Sequence, residues 1–140
     1  MSFTGNKACT SFKKELLSAT HDFTADTFKL ALYSEDANLD ASTTAYSTTN
    51  EVTGTGYTAG GATLTPTTPA SGSETGYVNF ASVTFSEVSI TARGGLIYNS
   101  SKSNKAVAVL DFGRNITKVA ANFVVTMPTN DALNALIRIQ

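Results

Sequence analysis

The sequence predicts an all-β fold, a β-sandwich or jelly roll of about eight strands with one N-terminal α-helix, in a single domain over residues 1–140. Three observations carry that expectation. From Gly76 onward, short apolar or alternating runs are separated by turn-forming residues at roughly ten-residue intervals, the spacing of a sandwich or jelly roll. A 3.6-residue apolar period is confined to the N-terminal stretch. No segment repeats along the chain, which excludes propellers and solenoids.

Residues 1–20 read as an N-terminal arm and helix. Over 6–19, Ala8, Cys9, Phe12, Leu16 and Ala19 fall on one face, and Lys13, Lys14 and Glu15 largely on the other. The period then changes: Phe28, Leu30 and Leu32 alternate with Lys29, Ala31 and Tyr33, which predicts a first strand over 26–34. A long excursion over 34–75, rich in Ser, Thr and Gly, follows; within it only short windows such as Ala62 to Thr65 are suited to pairing, and loops of that length are usually functional. Tyr77, Val78 and Phe80 open the β-rich half. Val83, Phe85, Val88 and Ile90 continue it, with a phase shift near Ser86 and Glu87 that predicts a bulge or bend. Arg93, Gly94 and Gly95 read as a turn into Leu96, Ile97 and Tyr98, and Asn99 to Asn104 as another. Ala106 to Phe112 is apolar until Asp111, as expected of a central strand covered on both faces. Gly113, Arg114 and Asn115 read as a further turn. Val119 to Met127 forms a strand that Pro128 stops, and Ala135 to Ile139 the last one.

Composition narrows the function. Ten basic and eleven acidic residues give a net charge of -1, with no block of one sign longer than Lys13-Lys14. Phosphate binding needs a clustered positive field, so nucleic acid is not an expected partner. No apolar run approaches the roughly 20 residues that span a bilayer, and the N-terminus lacks a signal-peptide pattern, so no membrane is expected either. Charged residues are only 15% of the chain, whereas Ser and Thr make up roughly a quarter. Such an uncharged, hydrogen-bonding surface suits packing against other protein. The single Cys9 forms no internal disulfide, which fits assembly in a reducing cytoplasm.

Catalytic motifs are weak. Gly54 to Ala59 spells a loose G-x-G-x-x-A, but no apolar strand precedes it and no helix pattern follows, so its glycines read as permitting positive φ in a surface loop. Asp111-Phe112-Gly113 matches a kinase triplet without any of its partner motifs. Cys9 and His21 have no further Cys or His to complete a metal site; Cys9 reads as a small apolar residue of the helix face and His21 with Asp22 as a helix-terminus pair. The expectation is therefore a non-enzymatic protein with no catalytic residues, no metal and no cofactor. The alternative is a receptor- or glycan-binding tail or fibre module, with Tyr46, Tyr57 and Tyr98 as candidate stacking platforms.

The runs Thr44 to Gly61, Val83 to Phe85, Ala92 to Tyr98 and Ala106 to Gly113 carry a further signal. They resemble small virion structural proteins of tailed phages, nearest to the jelly-roll cement (head decoration) proteins of short-tailed Bordetella phages. The likeness covers most of the chain and ties no chemistry to particular residues. It implies a homodimeric jelly roll on the exterior of the virion, made in the host cytoplasm, that binds the major capsid protein and bridges neighbouring capsomers. On that reading Phe3, Tyr46 and Tyr57 are the candidate capsid or dimer contacts, since aromatics in glycine-rich or terminal segments often anchor interfaces. Deleting 44–61 is then expected to abolish capsid binding and leave a folded domain.

Overall fold

The computed structural model describes residues 6–140. It is mostly β, 46% strand, with one short helix and two antiparallel sheets. In chain order the elements are β1 (Lys7–Ala8), α1 (Thr10–Leu17), β2 (Phe28–Tyr33), β3 (Ala62–Thr63), β4 (Ala70–Gly72), β5 (Thr75–Val78), β6 (Val83–Asn99), β7 (Lys105–Val125) and β8 (Ile137–Ile139). The larger sheet runs β1-β7-β6-β2-β3 and the smaller β4-β5-β8.

The eight strands number as expected, but their lengths do not. β6 and β7, of 17 and 21 residues, form one long hairpin closed by the predicted turn after Asn99. Two expected turns therefore lie inside strands. Gly94 and Gly95 sit in β6, paired with Tyr33 and Leu32 of β2. A Cβ on Gly95 would stand 2.8 Å from Leu30 Cδ1 and 3.0 Å from Ala31 O, so this glycine admits a neighbouring strand and does not reverse the chain. Gly113 to Asn115 belong to a bulge in β7. Ala92 pairs with Ile116 and Gly94 with Asp111, so residues 112–115 stand opposite Arg93 alone, and Gly113 takes φ +82°. The bulge expected near Ser86 and Glu87 is present as a register shift between Phe85 and Val88, with Glu87 at φ 51°.

The helix is shorter than its apolar period. Lys7 and Ala8 pair with Val109 and Ala108 of β7, and Cys9 is still extended at φ -69°, ψ 140°, so the helix starts at Thr10. Sheet pairing has captured the first positions of the pattern. Phe12 packs the helix inward at 1% exposure, against His21 and Phe23. Cys9 is fully buried at the helix start, where burial first, then the charges of Asp40 and Glu15, push its thiol pKa up to about 11.

One core joins both sheets. Leu30, Leu32, Leu96, Ile97, Val107 and Val109 come from the larger sheet and Val78 and Ile137 from the smaller. Phe28, Phe23 and Phe80 bridge them, with Phe23 stacked on Phe28 at 4.6 Å and Phe80 5.6 Å from Phe28. Ala106 to Leu110 are buried on both faces, as a central strand requires.

Candidate functional site

The segment from Thr44 to Gly61 is folded onto the larger sheet at three places. At its start, Ala106 N donates to Thr44 O and Tyr46 N to Asn104 O, tying it to the tip of the long hairpin. In the middle, Ser34 N donates to Asn50 O and Val52 N to Leu32 O, so the chain runs beside the end of β2, with Tyr33 bridged to Glu51. Further on, Ser89 N donates to Thr55 O, which covers the edge of β6 at its bulge. Gly54 is required there, because a Cβ would lie 2.0 Å from Ser89 O.

Glu51 organises this arrangement. Its Oε1 accepts from Tyr46 Oη at 2.7 Å; its Oε2 accepts from Tyr57 Oη at 2.6 Å and from Gly60 N at 2.8 Å. Tyr57 Oη also accepts from Leu32 N at 3.0 Å, linking the carboxylate to the β2 backbone. Tyr98 Oη donates to Gly60 O at 2.6 Å and Tyr33 Oη to Ser47 O at 2.6 Å, while the Tyr46 and Tyr98 rings stack at 4.6 Å. A half-buried carboxylate with three donors is a strong, charge-assisted node. Desolvation first, then the hydrogen bond to Glu51 and its charge, raise the phenol pKa values of Tyr46 and Tyr57, and desolvation with the Glu51 charge raises that of Tyr98. The node ties the loop to itself and to β2. Thr53, Thr55, Thr58 and Ala59 stand exposed on it, an uncharged patch beside the sheet.

Of the aromatic contacts expected from sequence, Tyr46 and Tyr57 are half-buried with their hydroxyls engaged inside the loop, and Phe3 lies outside the described residues. Tyr98, a candidate glycan platform, is buried at 2% exposure. The sequence reading passed over Glu51, although a signal was available: it is the one charged residue between Asp40 and Glu74. A single carboxylate amid hydroxyls and glycines marks a local hydrogen-bond hub.

A second polar cluster joins the helix to the hairpin tip. His21, expected with Asp22 as a helix-terminus pair, has a fully buried side chain. Its Nε2 lies 2.9 Å from Glu15 Oε1 and its Nδ1 3.0 Å from Asn99 Nδ2. The Asn99 amide also donates to Asp26 Oδ2 at 2.8 Å, and its Oδ1 accepts from Ser101 N, so Nδ1 of the ring is the acceptor and Nε2 carries the proton. Burial opposes ionisation of Asp26, but hydrogen bonds from Lys102, Asn99 and Asp22 N outweigh it and hold the carboxyl below its ordinary pKa. Every member has a structural partner. The cluster fastens α1 to the turn at 100–104.

Among the described residues, no group of three or more His, Cys, Asp or Glu is placed to hold a metal, and no helix is long and apolar enough to cross a membrane. The fold and this loop define an all-β protein presenting a pre-organised surface segment. No family model, no curated protein and no solved structure matches the chain.

Proposed function

We propose that this protein is a non-enzymatic decoration or cement protein of a phage head, binding the outer surface of the major capsid protein shell and bridging neighbouring capsomers. The observation that carries the reading is the Glu51 node, which ties together the loop at 44–61, whose one charged residue is Glu51 itself, on a two-sheet support. A binding segment that is already ordered loses little conformational entropy on docking. The likeness of the same run, Thr44 to Gly61, to virion proteins supports the choice of partner, and the low charge of the chain suits close packing on a protein lattice. On this reading the fold is a jelly roll acting as a stiff strut, and a homodimer spanning two subunits gains durability through effective concentration.

The structure changes how the loop is to be tested. Deletion of 44–61 would remove the cover of β6, the partner of Leu32 N and the buried Val52, so a folded remnant is no longer the expected result. Charged substitutions at exposed positions, Thr55→Arg and Thr58→Arg, leave the node intact. The decisive experiment mixes the purified protein with mature capsids lacking it, sediments them and counts the copies bound. Saturation at a fixed ratio near one per subunit, raised heat resistance of the heads, and loss of binding in the two variants are the expected outcome. Failure to bind heads would overturn the reading and transfer the weight to a receptor- or glycan-binding tail module.

A further inference from the structure

A second surface lies away from that loop, between α1 and the C-terminal strand. β1 ends the larger sheet and β8 ends the smaller, so two sheet edges bound this side of the molecule. Between them runs a groove of about 440 Å³ lined by Ala8, Phe12, Leu16, Leu17, Leu136 and Ile139. Leu17 is 93% exposed and Ile139 60% exposed, both large apolar side chains on its walls. Two cations, Lys13 and Arg138, also line it. Lys13 makes no ion pair among the described residues. Arg138 Nη1 reaches Ala132 O at 3.5 Å, and its nearby acid, Asp131, is engaged by the backbone of Leu133 and Asn134. Glu15, the acid of the same helix, is turned away to His21.

We propose that this groove is a docking site for an extended segment of another protein in which apolar residues alternate with Asp or Glu. The segment adds, as a further strand, to the edge of β8 that no strand among the described residues pairs, and so satisfies the main-chain groups there. Its apolar side chains cover Leu17 and Ile139 on one face, and its carboxylates meet Arg138 on the other, since Arg138 and Ile139 point to opposite faces of β8. Charge decides between this occupant and a second copy of the chain. Self-pairing of β8 in the antiparallel register that uses all of Ile137–Ile139 sets Arg138 against Arg138, and like charges directly opposite are unfavourable.

The test is selection of a displayed random octapeptide library on the immobilised full chain, followed by anisotropy titration of the enriched peptides. Enrichment of alternating apolar and acidic sequences is expected. Leu17→Asp should weaken their binding by about tenfold or more, and Arg138→Glu should do the same while shifting selection toward lysine-containing peptides. Both side chains are surface groups, so unchanged far-UV circular dichroism and melting will show that the variants are folded. The proposal is overturned by no enrichment, by a consensus without acidic residues, or by binding indifferent to both variants. Sedimentation showing a dimer that Leu17→Asp dissociates would also overturn it, in favour of self-association.

Discussion

Replacing Glu51 with glutamine keeps the side chain's size and removes the charge shared by Tyr46, Tyr57 and Gly60 N. A neutral amide accepts at one atom only, so at least one of these donors is left facing an NH2 group. Hydrogen bonds to charged acceptors contribute about 1.5–3 kcal/mol, so Glu51→Gln should lower unfolding free energy by roughly 1–3 kcal/mol, read from urea denaturation. The same cluster predicts a response to alkali. Tyr33, Tyr46, Tyr57 and Tyr98 all have phenol pKa values raised above the ordinary 10.0, chiefly by burial. A phenol with a raised folded pKa contributes stability that is fully present below the unfolded value. That contribution is lost as pH rises from about 10 toward the folded values. Absorbance titration at 295 nm should therefore show most tyrosines ionising late and together with loss of β-sheet signal; simple titration near pH 10 of a folded protein would refute this.

At the scale of elements, two glycines separate a positional requirement from a permissive site. Gly61 has φ +80°, and a Cβ there would lie 1.8 Å from Leu30 O, where β3 meets β2. Gly61→Ala should cost more than about 2 kcal/mol, since both backbone strain and a backbone clash oppose it. Gly76 in β5 has nothing within 4 Å of a built Cβ and no positive φ. Gly76→Ala should stay within about 0.5 kcal/mol of wild type. Thermal melts of the two variants make the comparison directly, and equal losses would contradict the close approach of β3 to β2. The long β6–β7 hairpin explains why local turn chemistry misled at two places. Gly94-Gly95 and Gly113 to Asn115 have turn composition, but partner strands use those residues for close approach and for a bulge.

For the whole molecule, the shared core makes a cooperative transition the expected behaviour. Phe28, Phe23 and Phe80 connect the two sheets, so the smaller sheet has no separate apolar centre to unfold alone. Tyrosine fluorescence, usable because the chain has no tryptophan, and far-UV circular dichroism should give coincident denaturation curves. Separate midpoints would show that β4, β5 and β8 open independently.

Much of the molecule was legible before its structure. Phe28 to Tyr33 read as a strand because side-chain direction alternates along an extended chain, and Ala106 to Leu110 read as a central strand because a run buried on both faces shows no alternation. Phe12 could be placed inward, Glu87 at a bulge, and Pro128 just beyond a strand end, since each rests on local backbone or side-chain geometry. The sequence by itself therefore determined the β class, the helix near the N-terminus and the low charge of the segment at 44–61. Only the tertiary structure decided that this segment is a fixed part of the sheet edge, that Glu51 holds it, that His21 is buried against Glu15 and Asn99, and that two apparent turns are interior strand. The physical reason is that each is completed by a distant partner: Tyr57 ties the Glu51 node to Leu32 N, His21 meets Asn99, and the two turn-like stretches face partner strands. Neither composition nor period carries information about which distant backbone will approach.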